Sequence, residues 1–206
     1  MLKRTKGILL LTLLVLTGMA GRMSSETING QERKILLAHL KDTRNDLLKS
    51  VKGLSEAQLI FKPSEEKWSV KECVQHLALS ESNIWNMAAG VLKATANPEM
   101  RSEIKMTDEE LYKALASRSN KVQTSEAFKP EQAPWKTTSE ALNAFKEKRA
   151  SLIKYTKTTT DDMRNHVGQT PLGHLDAYQM LILLAAHTKR HTMQIDEIKA
   201  DAAFPK

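Results

Sequence analysis

The sequence predicts an all-α protein, a four-helix bundle with a long, partly helical crossover between the second and third helices. Apolar residues recur at three- and four-residue steps in four long segments, which is the period of amphipathic helices. No segment of four or more residues alternates apolar and polar side chains as a half-buried strand does. Four such helices bury their apolar faces most simply against one another. An irregular all-α domain is the alternative architecture.

The first 20 residues are typical of a secretory signal peptide. Lys3, Arg4 and Lys6 precede the apolar run 8–16, and small residues precede a cleavage point after Ala20. A membrane-spanning helix needs about 20 apolar residues, and this run is shorter. We therefore expect a bacterial protein exported to the periplasm or the medium, with no stable membrane anchor after cleavage. An uncleaved anchor is the alternative.

The charge pattern argues against nucleic-acid binding. Cleavage after Ala20 would leave 28 Lys and Arg against 24 Asp and Glu, and the two signs are interleaved. The segment Lys146-Glu147-Lys148-Arg149 is an example, and it predicts a solvent-exposed helix face rather than a phosphate-binding stripe.

Cys73 is the only cysteine, so no disulfide can form within the chain. A mature chain of about 185 residues is long enough to form one domain with a substantial core. We expect Cys73 to be a buried, inert member of that core.

The first helix is predicted from about Gln31 to Lys52, and Gly53 ends it. We predict residues 21–30 to be a flexible N-terminal segment and residues 31–200 to be the helical domain. The inward face of the first helix is predicted to contain Ile35, Leu36, His39, Leu40, Leu47 and Val51. An irregular connector, 54–67, follows.

The second helix is predicted to begin after Ser69 and to extend to about Ala94. Ser69 and Glu72 form the S-x-x-E pattern of a capping box, which satisfies two backbone donors reciprocally. We expect Trp68 to pack against the helix entry rather than on a substrate. The core stripe is predicted to contain Val70, Val74, Leu77, Ile84, Ala88 and Val91, with Cys73 and His76 at its edge.

The crossover extends from Asn97 to Thr138, and within it residues 108–117 could form a short helix. The third helix is predicted from about Ser139 to Thr156. Residues 168–173, with Pro171, interrupt the pattern before a fourth helix from about His174 to Ala200. The third helix is predicted to direct Leu142, Phe145, Leu152 and Ile153 inward, and the fourth Met180, Leu183, Leu184, Gln194, Ile195 and Ile198.

The fourth helix contains a histidine pair, His187 and His191, four residues apart. This spacing places both imidazoles on one helix face, where they could bind one ion. Two core histidines hydrogen-bonded to backbone or carboxylates are the alternative. The pattern is not that of a zincin peptidase, because Thr188 stands where that motif needs a glutamate base.

These motifs together resemble the DinB/YfiT-like family. The resemblance rests on Trp68-Ser69-x-x-Glu72-x-x-x-His76-Leu77, the turn at 171–173, and His187-x-x-x-His191-x-x-Gln194-Ile195, and it covers most of the mature chain. It implies a four-helix bundle in which His76, His187 and His191 bind a divalent transition metal, with Zn or Ni favoured. The family also suggests a homodimer. The other histidines match no ligand position: His39, His166 and His174.

Two residues near the implied ligands could orient an imidazole or a water molecule. Glu72 lies one turn before His76, although the capping box already gives it a structural role, and Gln194 lies three residues after His191. Cys73 is also near His76, but the family pattern does not use it.

The resemblance leads to two hypotheses on function. The first is a metal-dependent hydrolase or transferase acting on an unknown small molecule. Characterised relatives include enzymes that use low-molecular-weight thiols, but such thiols are cytosolic, and export argues against them here. The second is a non-catalytic helical-bundle binding protein with structural or vestigial histidines.

Overall fold

The computed structural model describes residues 27–119 and 123–206. The predicted signal peptide lies outside these residues. The helices are α1 (Gly30–Val51), α2 (Glu56–Ile60), α3 (Val70–Lys93), α4 (Asp108–Ala116), α5 (Thr138–Thr158) and α6 (Ala177–Lys199). The four long helices predicted from the sequence are α1, α3, α5 and α6, and the short helix within the crossover is α4. Among the described helices, none is both long and apolar enough to cross a membrane.

Capping residues explain where these helices begin. The predicted box at α3 is confirmed, since the backbone N–H of Ser69 donates to Glu72 at 2.7 Å and that of Glu72 donates to the Ser69 hydroxyl at 3.2 Å. Reciprocal boxes also begin α1, α2, α4 and α5. At α6 the side chain of Asp176 accepts from the backbone N–H of Gln179, which places the helix start after residue 176 rather than at His174.

One short helix and one hairpin of two short strands were not expected from the sequence. The connector 54–67 contains α2, a five-residue helix. Strands β1 (Val167–Thr170) and β2 (Gly173–Asp176) pair antiparallel ahead of α6, where the sequence predicts only an interruption. Strands of four residues are too short to show a clear alternation. Gly173 has φ +100°, a backbone conformation that favours glycine in the tight turn.

The four long helices are not arranged in the order of the chain. Helix α6 packs against α1 and α3, and α5 packs against the same two helices. Consecutive long helices α1 and α3 therefore lie diagonally across the bundle, as do α5 and α6. A side chain that reaches the bundle axis can touch all four helices.

The predicted inward faces are largely confirmed. Leu36, Leu47, Val70, Phe145 and many others are buried. Ile35 is an exception, with 40% of its surface exposed, because it lies beside the inward stripe of α1 rather than on it.

The larger correction concerns Arg149. The charge pattern of its segment predicted a solvent-exposed helix face, but the side chain of Arg149 is fully buried. Its neighbours in that segment, Lys146, Glu147 and Lys148, are exposed as predicted.

The crossover covers one side of the bundle. Helix α4 packs on α6, and the 3₁₀ turns Glu126–Phe128 and Pro130–Gln132 pack on α3. Gln75 on α3 donates to the carbonyl of Trp135 at 2.9 Å. The described parts of the crossover therefore belong to the packed domain, and they form one wall of the site described next.

Candidate metal centre

The fold brings His76, His187 and His191 together. One ring nitrogen of each lies within 4.8 Å of the others, and these three residues are called the histidine cluster below. His76 lies in the second turn of α3, whereas His187 and His191 lie one turn apart on the face of α6 that meets it. The Nε2 atoms of His76 and His187 are 3.0 Å apart.

A backbone carbonyl fixes the tautomer of His76. Its Nδ1 lies 2.6 Å from the carbonyl oxygen of Phe128, in the crossover. Because a carbonyl oxygen only accepts, Nδ1 carries the proton and the Nε2 lone pair points at the other two rings.

Gln194 does the same for His191. The Nδ1 of His191 lies 2.9 Å from Oε1 of Gln194. Arg118 also donates to that amide oxygen, at 3.4 Å, which identifies it as the acceptor. The Nε2 lone pair of His191 therefore points away from Gln194, as that of His76 points away from Phe128. The sequence prediction placed Gln194 correctly beside His191.

His187 differs from the other two histidines. Its Nδ1 is buried and has no hydrogen-bond partner among residues 27–119 and 123–206. A histidine kept for structure alone is expected to have both nitrogens satisfied. The unpartnered nitrogen therefore argues against a purely structural role for this ring.

Burial keeps all three rings neutral. It lowers the pKa of His187 well below its ordinary value, and the proximity of His76, Arg190 and Arg149 acts in the same direction. Burial and the other two histidines likewise lower the pKa of His191 well below its ordinary value, against the hydrogen bond to Gln194. Burial also lowers the pKa of His76, against the bond to Phe128. Neutral imidazole is the form that binds metal.

The donor set fits a divalent ion. Nitrogen ligands of a tetrahedral ion lie about 3.4 Å apart when each bond is about 2.0–2.1 Å. The Nε2 atoms of His76 and His187 are 3.0 Å apart, and the three ligand nitrogens lie within 4.8 Å of one another, so the present separations are close to that spacing. Three protein ligands would leave one position open, as in catalytic rather than structural zinc sites.

A cleft of about 1200 Å³ opens onto the cluster. All three histidines line it, together with Trp68 and Phe128. The Trp68 ring is 5.8 Å from the ring of His191, with 25° between the planes, and 4.8 Å from that of His76. Trp68 thus forms a wall of the site itself, which its place before the N-cap did not indicate.

The structure does not bring Glu72 into the cluster through any hydrogen bond. Its carboxylate accepts from the backbone of Ser69 and pairs with Lys62 at 2.6 Å. Burial by itself would raise the pKa of Glu72, but these two partners lower it. Its contacts are those of a helix cap.

Cys73 is fully buried in an apolar cluster with Val70, Val74 and Leu77, as predicted. Burial raises the pKa of its thiol. Two of the remaining histidines have other partners. His39 stacks on Tyr112 with ring centroids 4.0 Å apart, and His166 contacts the carbonyl of Asp162.

Sequence reasoning missed a buried ion pair beside the cluster. Arg149 on α5 makes two hydrogen bonds to Glu81 on α3, at 2.5 and 2.8 Å. It also donates to the hydroxyl of Thr188, the residue after His187, at 2.8 Å. Glu81 at a core-facing position of α3 was a signal that could have indicated a buried cation.

These features define a class of protein: a helical bundle in which three neutral histidines converge at a cleft. Residues 39–195 match the DinB superfamily. The match covers most of the chain, so the protein belongs to the DinB superfamily, and the family inferred from the sequence is confirmed.

Two relatives from Bacillus subtilis agree with this assignment. The chain is 24% identical over 160 residues to the uncharacterized protein YuaE of strain 168, a match covering 77% of this chain and 93% of YuaE. It is similar in fold to YfiT, with a TM-score of 0.60 and 18% identity, over 87% of this chain and 93% of YfiT. YfiT is described as a probable metal-dependent hydrolase with an unusual four-helix bundle topology.

Proposed function

We propose that this protein is a metal-dependent hydrolase in which His76, His187 and His191 hold a divalent transition metal, with Zn or Ni favoured. The observation that carries the proposal is the convergence of three neutral imidazoles at the base of a cleft. The description of YfiT as a probable metal-dependent hydrolase supports it. The substrate we propose is a small molecule, because the cleft has room for one.

The residues of the chain would prepare the site for this chemistry. A bound divalent ion would supply Lewis-acid activation of a substrate oxygen or of water. The Phe128 carbonyl and Gln194 hold two rings in the tautomer that leaves Nε2 free. The Trp68 ring stacks on that of His191 and lies against that of His76. A group transfer at the same site is the second reaction that the family resemblance allows, and product analysis separates it from hydrolysis.

Elemental analysis of the mature protein, purified without a histidine tag, tests the metal site. We expect close to one equivalent of a transition metal in the wild type and a loss of it in His76→Ala and His187→Ala. Cys73→Ala is the matched control, because Cys73 lies on α3 one turn from His76 but within the apolar cluster. Metal-free wild type whose melting temperature does not respond to added Zn²⁺ or Ni²⁺ would refute the proposal.

The contact between His76 and His187 favours a second candidate, a binding protein with structural histidines. At 3.0 Å the Nε2–H of His187 could donate to the Nε2 of His76, which would satisfy that pair without an ion. On this hypothesis the cleft binds a ligand and no turnover occurs. Hydrolysis of a panel of esters, amides and phosphoesters by the metal-loaded wild type, but not by His187→Ala, would decide for the enzyme.

We also propose that the protein is exported. The support is the sequence of the first 20 residues, a basic segment followed by a short apolar run. Fractionation of a bacterial host expressing the full chain is the test. A mature form outside the cytoplasm that begins at residue 21 is the expected result, and an uncleaved cytoplasmic form would contradict it. The suggested homodimer is tested by light scattering on the mature form.

A further inference from the structure

A buried arginine links the two helices that hold the histidine cluster. The guanidinium of Arg149 is fully buried at the bundle axis and has five N–H donors. Each donor has an acceptor: two oxygens of Glu81, the carbonyl of Leu40, and the hydroxyls of Thr43 and Thr188. Arg149 and these acceptors are called the Arg149 network below.

Short stretches of backbone connect the Arg149 network to the histidine cluster. Glu81 is five residues after His76 on α3, about 7.5 Å along the helix axis. Thr188 directly follows His187 on α6. Arg149 therefore bonds to one residue on each ligand-bearing helix, although α5 itself contains none of the three histidines.

This linkage matters because metal coordination tolerates little displacement. Metal–ligand distances are held within about 0.2 Å of their ideal values. The separation of His76 and His187 depends on how far α3 and α6 are shifted along each other. Apolar packing of the two helices permits small slides, whereas a bidentate arginine–carboxylate pair has a defined geometry.

We propose that the Arg149 network positions the histidine cluster for metal binding by fixing α3 and α6 relative to each other. The inference rests on the proposed function, namely that the cluster binds a metal. Arg149, Glu81 and Thr188 are positioning residues in it, since hydrogen bonds link each of them to the bundle rather than to a histidine ring.

Two threonines of the network provide a matched pair of variants. Thr188 and Thr43 each accept from Arg149, at 2.8 and 2.9 Å, and each donates to the carbonyl four residues earlier. Both are buried, at 1% and 2% exposure. Only Thr188 lies on a ligand-bearing helix. Thr188→Val and Thr43→Val each remove one hydrogen bond from Arg149. Only Thr188→Val also breaks a link to a helix that holds the cluster.

The experiment measures Zn²⁺ affinity by competition with a chelator, the Co²⁺ absorption spectrum, and the melting temperature of the metal-free form. We expect the two variants to lower the melting temperature similarly. Thr188→Val should weaken Zn²⁺ binding by about tenfold or more and shift the Co²⁺ spectrum, whereas Thr43→Val should stay close to wild type in both.

Arg149→Lys supplies a second variant away from the ligand-bearing helices. Lysine keeps the charge but lacks the planar fork that binds Glu81 and Thr188 together. We expect it to weaken Zn²⁺ binding as Thr188→Val does.

Equal Zn²⁺ affinities in Thr188→Val, Thr43→Val and the wild type would overturn the inference while leaving the proposed function intact. Equal losses in both threonine variants would also overturn it, since they would follow from general destabilisation. Failure of the wild type to bind Zn²⁺ or Co²⁺ would instead refute the proposed function, and the inference with it.

Discussion

Two arginines, Arg149 and Arg164, hold this protein together in different ways. Arg149 lies at the bundle axis, is fully buried, and pairs with one carboxylate, that of Glu81. Arg164 lies in the segment before β1, is 12% exposed, and pairs with three carboxylates, those of Glu32, Asp108 and Asp176. The Arg164 network is the name used below for this second cluster, which ties the starts of α1, α4 and α6 together.

The difference lies in charge balance and access to water. The Arg149 pair is neutral and dry, so removing either partner leaves an uncompensated charge in the core. The Arg164 network combines one guanidinium with three carboxylates, a formal net charge of −2. Asp108 and Glu32 also reach solvent, with 34% and 24% of their side chains exposed. Removing one partner of the central pair should therefore cost more stability than removing one partner of the peripheral network.

The largest effect is expected from breaking the central pair. Arg149→Met should lower the free energy of unfolding by about 3–5 kcal/mol, because Glu81 would remain buried and unpaired. Urea unfolding of the metal-free protein measures it. The double variant Glu81→Leu/Arg149→Met should recover most of the loss, since an apolar pair leaves no buried charge. A double variant as unstable as the single one would contradict this account.

A smaller effect is expected at the peripheral arginine. Arg164→Gln should lower the free energy of unfolding by about 1–3 kcal/mol, because three carboxylates lose their shared donor but two of them can be hydrated. The ring of Tyr178, 4.0 Å below the guanidinium, also loses its cation contact. The same unfolding assay applies, and a loss as large as that of Arg149→Met would remove the distinction between the two networks.

The histidine cluster should make the stability of the metal-free protein fall when the pH is lowered below about 6.5. The pKa values of His187 and His191 are lowered in the folded state, so the unfolded chain binds more protons. Their stabilising contribution is present above about pH 6.5 and is lost as the pH falls below it. Melting temperatures of metal-free protein between about pH 7.5 and 5.5 measure this, and His187→Gln should flatten the profile. If the wild type and His187→Gln gave identical profiles, the pH dependence could not be assigned to His187.

The smallest effect is expected for one carboxylate of the peripheral network. Asp108→Asn should change the free energy of unfolding by less than about 1 kcal/mol, because Asp108 is partly exposed and Arg164 keeps two other partners. Urea unfolding at low and high salt measures it. A loss above about 2 kcal/mol would show that the network is not redundant.

Much of the fold could be predicted because its signals are local. The capping pattern at Ser69 and Glu72 and the inward stripe of α3 depend on residues within one or two turns. The pairing of His187 with His191 follows from helical spacing alone. The hairpin before α6 and the short helix α2 were missed because elements of four or five residues leave too little pattern to read.

Part of the candidate site could not be predicted from local patterns. The carbonyl of Phe128 has no sequence signature, and its contact with His76 spans 52 positions of the chain. Arg149 is surrounded in the sequence by charged residues that are exposed, yet its own position on α5 faces the bundle axis. Its spacing from Phe145 and Leu152 places it on the inward stripe of α5, but no local pattern shows that a charged side chain is accommodated there. The partner that accommodates it, Glu81, lies on another helix.

The sequence by itself determined the four long helices, the cap of α3, the family and the three histidines, because each depends on spacing along one helix or on a motif in a defined order. The tertiary structure decided which nitrogens face the cluster, how Trp68 and the crossover enclose it, and that Arg149 is buried. The physical reason is that tautomers, burial and ion pairs depend on partners from other helices, and the diagonal packing of consecutive helices brings those partners together.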